Sequence, residues 1–336
     1  MSFIRCLAAG SWIALAVALA GSSAASDLLV VSAFSNQVLR FDGATGAFKS
    51  VFATLRNPFG IASDHAGNVY VSTSEGVVAR YSETGDLLDF AVAAVGTSVN
   101  ALTVGPGGAV YGCIFFEDRV VRVDFGVAPP QVSDFVTSGS GGLDGPEGLV
   151  FGGPDGDLYV SSRINGKVLL YDTSGAFVTV YATPGGNGPE GLTFGPDGDL
   201  YVATTATSTV LRYDPSVQDG LLGTFATPSV ESGDGMTPAF GPDANLYVTL
   251  PGFGDLVERF DGTSGALIGT FVAGGSGGLS FPSGLVFVPE PRASYAGFAA
   301  ALGILAIARA RFRAQADSAA IASTTWESAA PSGSGT

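Results

Sequence analysis

The chain has 336 residues, of which 46% are hydrophobic and 13% are charged, against about 25% charged in an average soluble domain. Its formal net charge is −15, and its only lysines are Lys49 and Lys167. A chain this apolar can bury a large core, which excludes general disorder. The shortage of clustered Lys and Arg excludes nucleic acid as a partner, because phosphate binding needs such clusters.

The first 25 residues have the pattern of a secretory signal peptide. Arg5 precedes an apolar run, and the small residues that follow place Ser23 and Ala25 at a small-x-small cleavage site. We therefore predict cleavage after Ala25 and export across the inner membrane. Cys6 leaves with the signal, so Cys113 has no disulfide partner; we expect it to be a buried small hydrophobe, the alternative being a reactive thiol.

One pattern recurs between residues 27 and 288. Each copy has an apolar segment, a Gly-Pro-Asp-Gly type of turn and then a Leu/Val-Tyr-Val segment, with the tyrosines at Tyr70, Tyr111, Tyr159, Tyr201 and Tyr247. The tyrosines are 41, 48, 42 and 46 residues apart. A period of this length without a helical signal predicts a β-propeller or a solenoid.

Each period divides into four predicted strands, which in one copy are residues 191–194, 199–204, 210–214 and 222–227. The Gly195–Gly198 turn joins the first two, with proline fixing one φ and glycine free to take a positive φ. The strands are nearly continuous apolar runs with little alternation. Such runs predict sheets that are covered on both faces.

The two ends of the repeat region indicate that it closes on itself. Residues 27–33 read as a second strand without a first, and residues 281–287 read as a first strand with nothing after it. Together they complete one blade, which leaves no unpaired edge. We therefore predict an all-β, six-bladed propeller over residues 26–288, closed by a blade shared between the N- and C-terminal segments. A solenoid would need polar caps at both ends.

The first strand of each blade lines the central channel, so the residue before its leading glycine is predicted to lie at one channel mouth. In blade order these residues are Phe59, Asn100, Glu147, Glu190, Met236 and Ser283. Oxygen ligands from Asn100, Glu147 and Glu190 suit a hard cation such as Ca²⁺. Two nearby carboxylates can also share a proton and act as acid and base. The structural alternative is that each glutamate caps backbone N–H groups or pairs with an arginine of a neighbouring loop.

Loops on the same face supply a second tier of candidates. They are Glu117, Asp118, Arg163, Asp234 and Asp255. Arg163 is the cation nearest the two glutamates in this scheme, and we assign it either to ligand binding or to neutralising them.

The C-terminal end contains VPEP at residues 288–291, a charge-free run at 293–308 and arginines at 309, 311 and 313. The run is a predicted transmembrane helix with its arginine end in the cytoplasm. Together, residues 289–313 resemble the PEP-CTERM sorting signal of Gram-negative envelope proteins. The resemblance implies an exosortase-type processing enzyme as a partner, with the protein membrane-anchored first and then at the cell surface or extracellular. An ordinary single-pass anchor is the alternative, and residues 314–336 are predicted to be a disordered tail.

The repeats resemble NHL and virginiamycin-lyase-like propellers and, more distantly, the gluconolactonase family. The lactonase resemblance implies a divalent cation held by Glu, Asn and Asp. Glu147 or Glu190 and Asn100 match two of these ligands, but the Asp has no match. Virginiamycin lyases rely on a histidine with a glutamate at the channel mouth. The single histidine here, His65, falls in a turn predicted to be solvated on the opposite face.

Two functions follow from these patterns. In the first, the propeller is a non-enzymatic scaffold of the cell surface or extracellular matrix that binds exopolysaccharide or another envelope component. In the second, it is a metal-dependent lactonase or related lyase that uses Asn100, Glu147 and Glu190. The first needs no cofactor, the second needs Ca²⁺ or another divalent cation, and the sparse catalytic inventory favours the first.

Overall fold

The computed structural model describes residues 26–184 and 188–291. The chain divides into two compact units, residues 1–290 and 291–336, and the described part of the first is a β-propeller. The predicted signal peptide, transmembrane segment and tail lie outside the described residues. Within the described ranges, no helix has the length and apolar character needed to cross a bilayer.

In the described part of the chain, twenty-four strands, numbered in chain order, form six four-stranded antiparallel sheets, which are the blades. Blade 1 contains β1 (Ser26–Ser32), β2 (Gln37–Asp42), β3 (Phe48–Thr54) and β24 (Pro282–Pro289). Blade 2 contains β4 (Pro58–Ser63), β5 (Asn68–Thr73), β6 (Val77–Ser82) and β7 (Leu87–Val92). Blade 3 contains β8 (Val99–Val104), β9 (Val110–Ile114), β10 (Arg119–Asp124) and β11 (Gln131–Val136).

The remaining blades follow the same order. Blade 4 contains β12 (Pro146–Gly152), β13 (Asp157–Ser162), β14 (Lys167–Tyr171) and β15 (Phe177–Ala182). Blade 5 contains β16 (Pro189–Phe194), β17 (Leu200–Thr204), β18 (Thr209–Tyr213) and β19 (Leu221–Ala226). Blade 6 contains β20 (Pro238–Phe240), β21 (Leu246–Leu250), β22 (Leu256–Phe260) and β23 (Leu267–Val272). Short 3₁₀ helices lie at Ala33–Ser35, Pro106–Gly108, Phe115–Glu117, Ser140–Gly142 and Ser276–Gly278.

The predicted closure is confirmed by the pairing of β24 with β1. The two strands run antiparallel, with Val30 opposite Leu285 and Ser26 opposite Pro289. The last strand of the propeller thereby becomes the innermost strand of the first blade, and the ring of blades has no open seam.

Charged groups tie the two ends of the propeller together beside this pairing. Asp27 is 1% exposed and forms two salt bridges. Its Oδ2 lies 2.7 Å from Arg40 Nη1, and its Oδ1 lies 2.8 Å from Lys49 Nζ. Lys49 Nζ also lies 2.7 Å from Glu290 Oε1, just beyond the end of β24. The first and last residues of the propeller are therefore linked through one lysine, on the face where β1 begins and β24 ends.

The recurring tyrosine packs between adjacent blades. The Tyr201 ring lies 4.8 Å from that of Phe225 in its own blade and 4.9 Å from that of Phe240 in the next. Tyr247 repeats this arrangement and meets Phe287 of β24 at 4.8 Å, which packs blade 6 onto blade 1. Edge-to-face aromatic pairs of this kind add stability beyond the area they bury. The period of the sequence is therefore the period of the contacts between blades.

Burial differs between the inner and outer strands. The second strands of three blades, β9, β17 and β21, are buried along their whole length, as the continuous apolar runs predicted. The same prediction was wrong for the outermost strands: in β7, Leu87, Leu88 and Phe90 are exposed. The outermost strand has no neighbouring sheet beyond it, so its apolar side chains stay at the surface.

Cys113 and His65 lie where the sequence predicted. Cys113 is fully buried in β9, and burial raises the pKa of its thiol well above the ordinary value, which leaves it inert. His65 is exposed in the turn between β4 and β5.

Candidate functional site

In four of the six blades, a β-bulge aims the residue at the start of the channel-lining strand. In β4, β8, β12 and β16 the pairing with the second strand skips two residues, for example between Pro146 and Leu149. The skipped residues in β12 are Glu147 and Gly148. A bulge bends the strand and re-aims a side chain, and here it directs the glutamate into the channel.

Hydroxyl groups of the second strand satisfy the backbone left unpaired by the bulge. Ser161 Oγ accepts from the Gly148 N–H at 2.7 Å, and Ser72 Oγ accepts from the Gly60 N–H at 2.9 Å in blade 2. In blade 6, where β20 pairs without a bulge, Thr249 Oγ1 accepts from the Thr237 N–H at 2.9 Å. A buried backbone N–H needs such a partner, so Ser161 and Ser72 hold the bulges of their blades in place.

The glycine of the bulge allows neighbouring blades to approach closely. A Cβ atom on Gly148 would lie 2.2 Å from the backbone oxygen of Glu190, which no side chain tolerates. The Pro-Glu-Gly sequence therefore has a steric reason for its third residue: the innermost strands of blades 4 and 5 touch there.

All six predicted mouth residues line one cavity, which we call the channel mouth. It is formed by Phe59, Asn100, Glu147, Glu190, Met236 and Ser283 together with the small residues that follow them. Its volume is about 60 Å³, compared with about 300–1,000 Å³ for typical small-molecule sites. That space holds a few water molecules or a single side-chain terminus, but not an organic substrate.

Glu190 is fully buried, and both of its carboxylate oxygens accept hydrogen bonds from backbone N–H groups. Its Oε1 accepts from the Gly235 N–H at 3.1 Å, and its Oε2 accepts from the Met236 N–H at 2.7 Å. Arg163 Nε lies 3.5 Å from Oε1, and Arg163 also pairs with Asp234. These are the hydrogen bonds and the ion pair expected of the structural interpretation of Pro-Glu-Gly.

Glu147 has the same local sequence and a different set of partners. It is 8% exposed, and its Oε2 accepts from Asn100 Nδ2 at 2.9 Å. The carbonyl oxygen of Asn100 in turn accepts from the Ser98 hydroxyl. Among the described residues, no backbone N–H donates to the Glu147 carboxylate, so this carboxylate is the less engaged of the two.

The electrostatics of the pair follow from burial. Burial, and then the charge of Glu190, raise the pKa of Glu147 to about 7, while the Asn100 hydrogen bond and Arg163 oppose this shift. Burial also raises the pKa of Glu190, against the hydrogen bonds that its carboxylate accepts and the charge of Arg163. With a pKa of about 7, Glu147 changes its charge near neutral pH.

As these side chains stand, they do not present a set of converging cation ligands. Asn100 points its amide nitrogen at Glu147, and both Glu190 oxygens face N–H groups. Within residues 26–184 and 188–291, no three His, Cys, Asp or Glu side chains cluster as metal ligands do. Ca²⁺ takes six to eight oxygen ligands, and the arrangement offers far fewer.

The second-tier candidates divide into two groups. Arg163 and Asp234 come together beside Glu190, as described above. Glu117 instead pairs with Arg119 at 2.6 Å, Asp118 accepts from the Gly145 N–H at 2.8 Å, and Asp255 accepts from the Gly252 N–H at 2.9 Å. Glu117 and Asp255 therefore bond close to their own loops, whereas Asp118 ties the loop before β10 to the connector before β12.

Sequence reasoning missed the partners that distinguish the two glutamates. Asn100 was a candidate, but its direct bond to Glu147 depends on how blades 3 and 4 are placed. The Gly235 and Met236 N–H groups belong to the connector before β20, and although Met236 was a predicted mouth position, the sequence did not indicate that these N–H groups donate to Glu190. The small residue after the mouth position marks the bulge in β4, β8, β12 and β16 and was available in the sequence.

Six four-stranded blades around a channel with a buried carboxylate pair define this protein as a six-bladed β-propeller. Residues 176–206, which span β15 to β17, match a family model described as strictosidine synthase-like, N-terminal. A comparison with curated proteins finds no match.

Solved structures match over most of the propeller. A chain of the nidogen/laminin complex is 18% identical, with 79% of this chain and 99% of that chain covered and a TM-score of 0.64. Virginiamycin B lyase from Staphylococcus aureus is 22% identical, with 64% of this chain and 69% of that chain covered and a TM-score of 0.50. A protein from Lactobacillus plantarum is 18% identical, with 79% of this chain and 99% of that chain covered and a TM-score of 0.56. At these identities the shared feature is the fold.

Proposed function

We propose that this chain is an exported scaffold protein of the cell surface or extracellular matrix, whose propeller binds another envelope component without catalysing a reaction. The fold alone does not decide this, because similar structures include both a lyase and a chain of a protein–protein complex. The observation that carries the proposal is the state of the channel mouth. Its volume is about 60 Å³ and one of its two carboxylates is saturated by the protein's own N–H groups.

A site of this kind suits recognition at its outer surface. A substrate needs room beside the reacting group, and an acid–base pair needs both members free to exchange protons. Glu190 is fully buried and held by two backbone N–H groups. Glu147 is the remaining reactive group, and a ligand that reaches it from above the mouth binds with most of its surface on the surrounding loops.

The test of binding uses the full chain and surface fractions prepared from the cells that produce it. One portion of the fraction is digested with protease and another is oxidised with periodate, which destroys glycans. The labelled chain is expected to be retained by the untreated fraction, and the treatment that abolishes retention identifies the chemical class of the partner. No retention by the untreated fraction contradicts the proposed function.

A lactonase or lyase is the second candidate, and one observation favours it. Glu147 is buried at the mouth with a pKa of about 7, which suits a general acid or base at neutral pH. A metal-dependent reaction predicts that Ca²⁺, Zn²⁺ or Mn²⁺ raises the melting temperature of the full chain, because a bound ion stabilises the folded state by mass action. We expect no such rise; a rise that Glu147→Gln abolishes would favour the enzyme.

The export part of the proposal rests on the sequence of the two ends. Residues 1–25 are proposed as the signal peptide, 293–308 as the membrane anchor, and 289–313 as the region recognised by an exosortase-type enzyme. Intact-mass measurement of the protein recovered from its native envelope tests all three. A chain that begins at Ser26 is expected, and a mass that retains Met1 contradicts export through signal cleavage.

A further inference from the structure

The loops on the channel-mouth face carry a ring of exposed apolar side chains. In each blade, one position lies two or three residues after the end of the second strand, at the apex of the next loop. In blade order these residues are Phe34, Glu75, Phe116, Ile164, Ala206 and Phe253. The four large apolar members, which we call the apex ring, are 62–77% exposed. Four of six equivalent apices therefore hold large apolar side chains in water.

The apex ring surrounds an acidic face. Strand directions put the loops that follow the second strands, and the connectors between blades, on the same side as the channel mouth. Among the described residues these loops carry Glu75, Glu117, Asp118, Asp144, Glu231, Asp234 and Asp255 against Arg56 and Arg163. The mouth adds Glu147 and Glu190. Exposed apolar side chains that rim such a concave site mark an interaction surface.

We propose that the channel-mouth face docks a protein segment in which a lysine or arginine is flanked by apolar residues. The apolar flanks contact the apex ring, and the cationic side chain enters the mouth and pairs with Glu147. This inference rests on the proposed binding function and names the partner of the same site.

The side chains favour a protein over the other occupants of such a face. Phenyl and aliphatic apices cannot hydrogen-bond sugar hydroxyls, which lose free energy when they are dehydrated without a partner. Aromatic side chains are the anchors of protein interfaces. A second copy of the chain, or an anionic membrane, would bring like charges against the acidic loops. A cationic side chain complements them, and the volume of about 60 Å³ accommodates its terminus.

The probe is a displayed library of random twelve-residue peptides, selected at pH 8 on the immobilised full chain. Peptides with Lys or Arg between apolar residues are expected to be enriched. A synthetic peptide of that type is expected to bind Phe34→Ser/Phe116→Ser/Phe253→Ser at least about ten-fold more weakly than it binds the wild type. Glu147→Gln should also weaken binding, because the cationic side chain loses the carboxylate with which it pairs.

The matched control is Leu88→Ser/Leu222→Ser/Ile268→Ser, which removes three large apolar side chains of 50–58% exposure from outermost strands. This variant is expected to bind the peptide as the wild type does. The inference is overturned if no peptide is enriched, if the enriched peptides lack a basic residue, or if both triple variants bind equally.

Three further probes separate the partner class from the proposed function. They are phosphatidylcholine vesicles, polysaccharide isolated from the producing cells, and the chain itself in sedimentation. Binding of any of them through the apex ring in place of peptides overturns the protein partner and leaves a binding function standing. Failure of every probe, together with no retention by the surface fraction, overturns both.

Discussion

Asn100 Nδ2 donates a 2.9 Å hydrogen bond to Glu147 Oε2, and this bond joins the innermost strands of blades 3 and 4. Glu190, in the same Pro-Glu-Gly sequence one blade later, accepts instead from the backbone N–H groups of Gly235 and Met236. The repeat therefore uses one motif in two ways. One glutamate fixes a connector, and the other remains available at the channel mouth.

Glu147→Gln is expected to stabilise the protein at pH 8 and to have little effect at pH 5. Burial and the charge of Glu190 raise the pKa of Glu147 to about 7, from 4.5 as the ordinary value. The stability that this carboxyl contributes is fully present below pH 4.5 and is lost as the pH rises through about 7. Gln cannot ionise and keeps an oxygen for Asn100 to bond.

The measurement is chemical unfolding of the wild type and Glu147→Gln at both pH values. The variant should gain on the order of 1–3 kcal/mol relative to the wild type at pH 8, and that gain should shrink at pH 5. An equal difference at the two pH values would show that Glu147 does not titrate in this range.

Glu190→Gln is expected to destabilise the protein by about 1–3 kcal/mol. In the variant, an amide –NH₂ group replaces one of the two carboxylate oxygens that accept from the backbone N–H groups of Gly235 and Met236. One of these buried N–H donors therefore loses its acceptor. Hydrogen exchange at Gly235 and Met236 should become faster, because the connector before β20 loses its anchor. Glu147→Gln at the matching position is the control, and the two variants should change stability in opposite directions at pH 8.

Asp27→Ala is expected to cost about 3–5 kcal/mol, because it leaves the buried guanidinium of Arg40 without its partner. Lys49→Ala removes the other partner of Asp27, but the Lys49 side chain is 36% exposed and should cost about 0–1 kcal/mol. Denaturant unfolding of the two variants tests the comparison. Equal losses would mean that burial of the ion pair does not control closure of blade 1.

Gly148→Ala is expected to destabilise the protein by about 1–3 kcal/mol or more, because the alanine Cβ would lie 2.2 Å from the Glu190 backbone oxygen. Gly284→Ala occupies the equivalent place in β24, where the nearest atom is the Ile61 Cγ2 at 3.2 Å, and should cost less. Thermal unfolding of both variants tests the difference. A Gly148 variant as stable as the Gly284 variant would mean that the strands around the channel are not in close contact.

Several features could be predicted from the sequence because they repeat. The tyrosine period, the four strands per period and the truncated copies at the two ends together predicted six blades and a shared first blade. Burial of Cys113 and exposure of His65 followed from their places in that repeat. The six mouth positions followed as well, because each directly precedes the glycine of the first strand or, in blades 3 and 6, the Ala101 or Thr237 that takes its place.

The ring of blades could be predicted from the residues alone, because contacts that repeat between blades require residues that repeat at the same interval. The role of each mouth residue depends instead on how the blades pack against one another. The partners of Glu147 and Glu190 come from another blade and from an irregular connector. The local sequence around each glutamate does not specify where the neighbouring strand or connector lies. Exposure of the outermost strands was decided in the same way: an apolar run is buried only where a second sheet covers it, and the edge of a propeller has none.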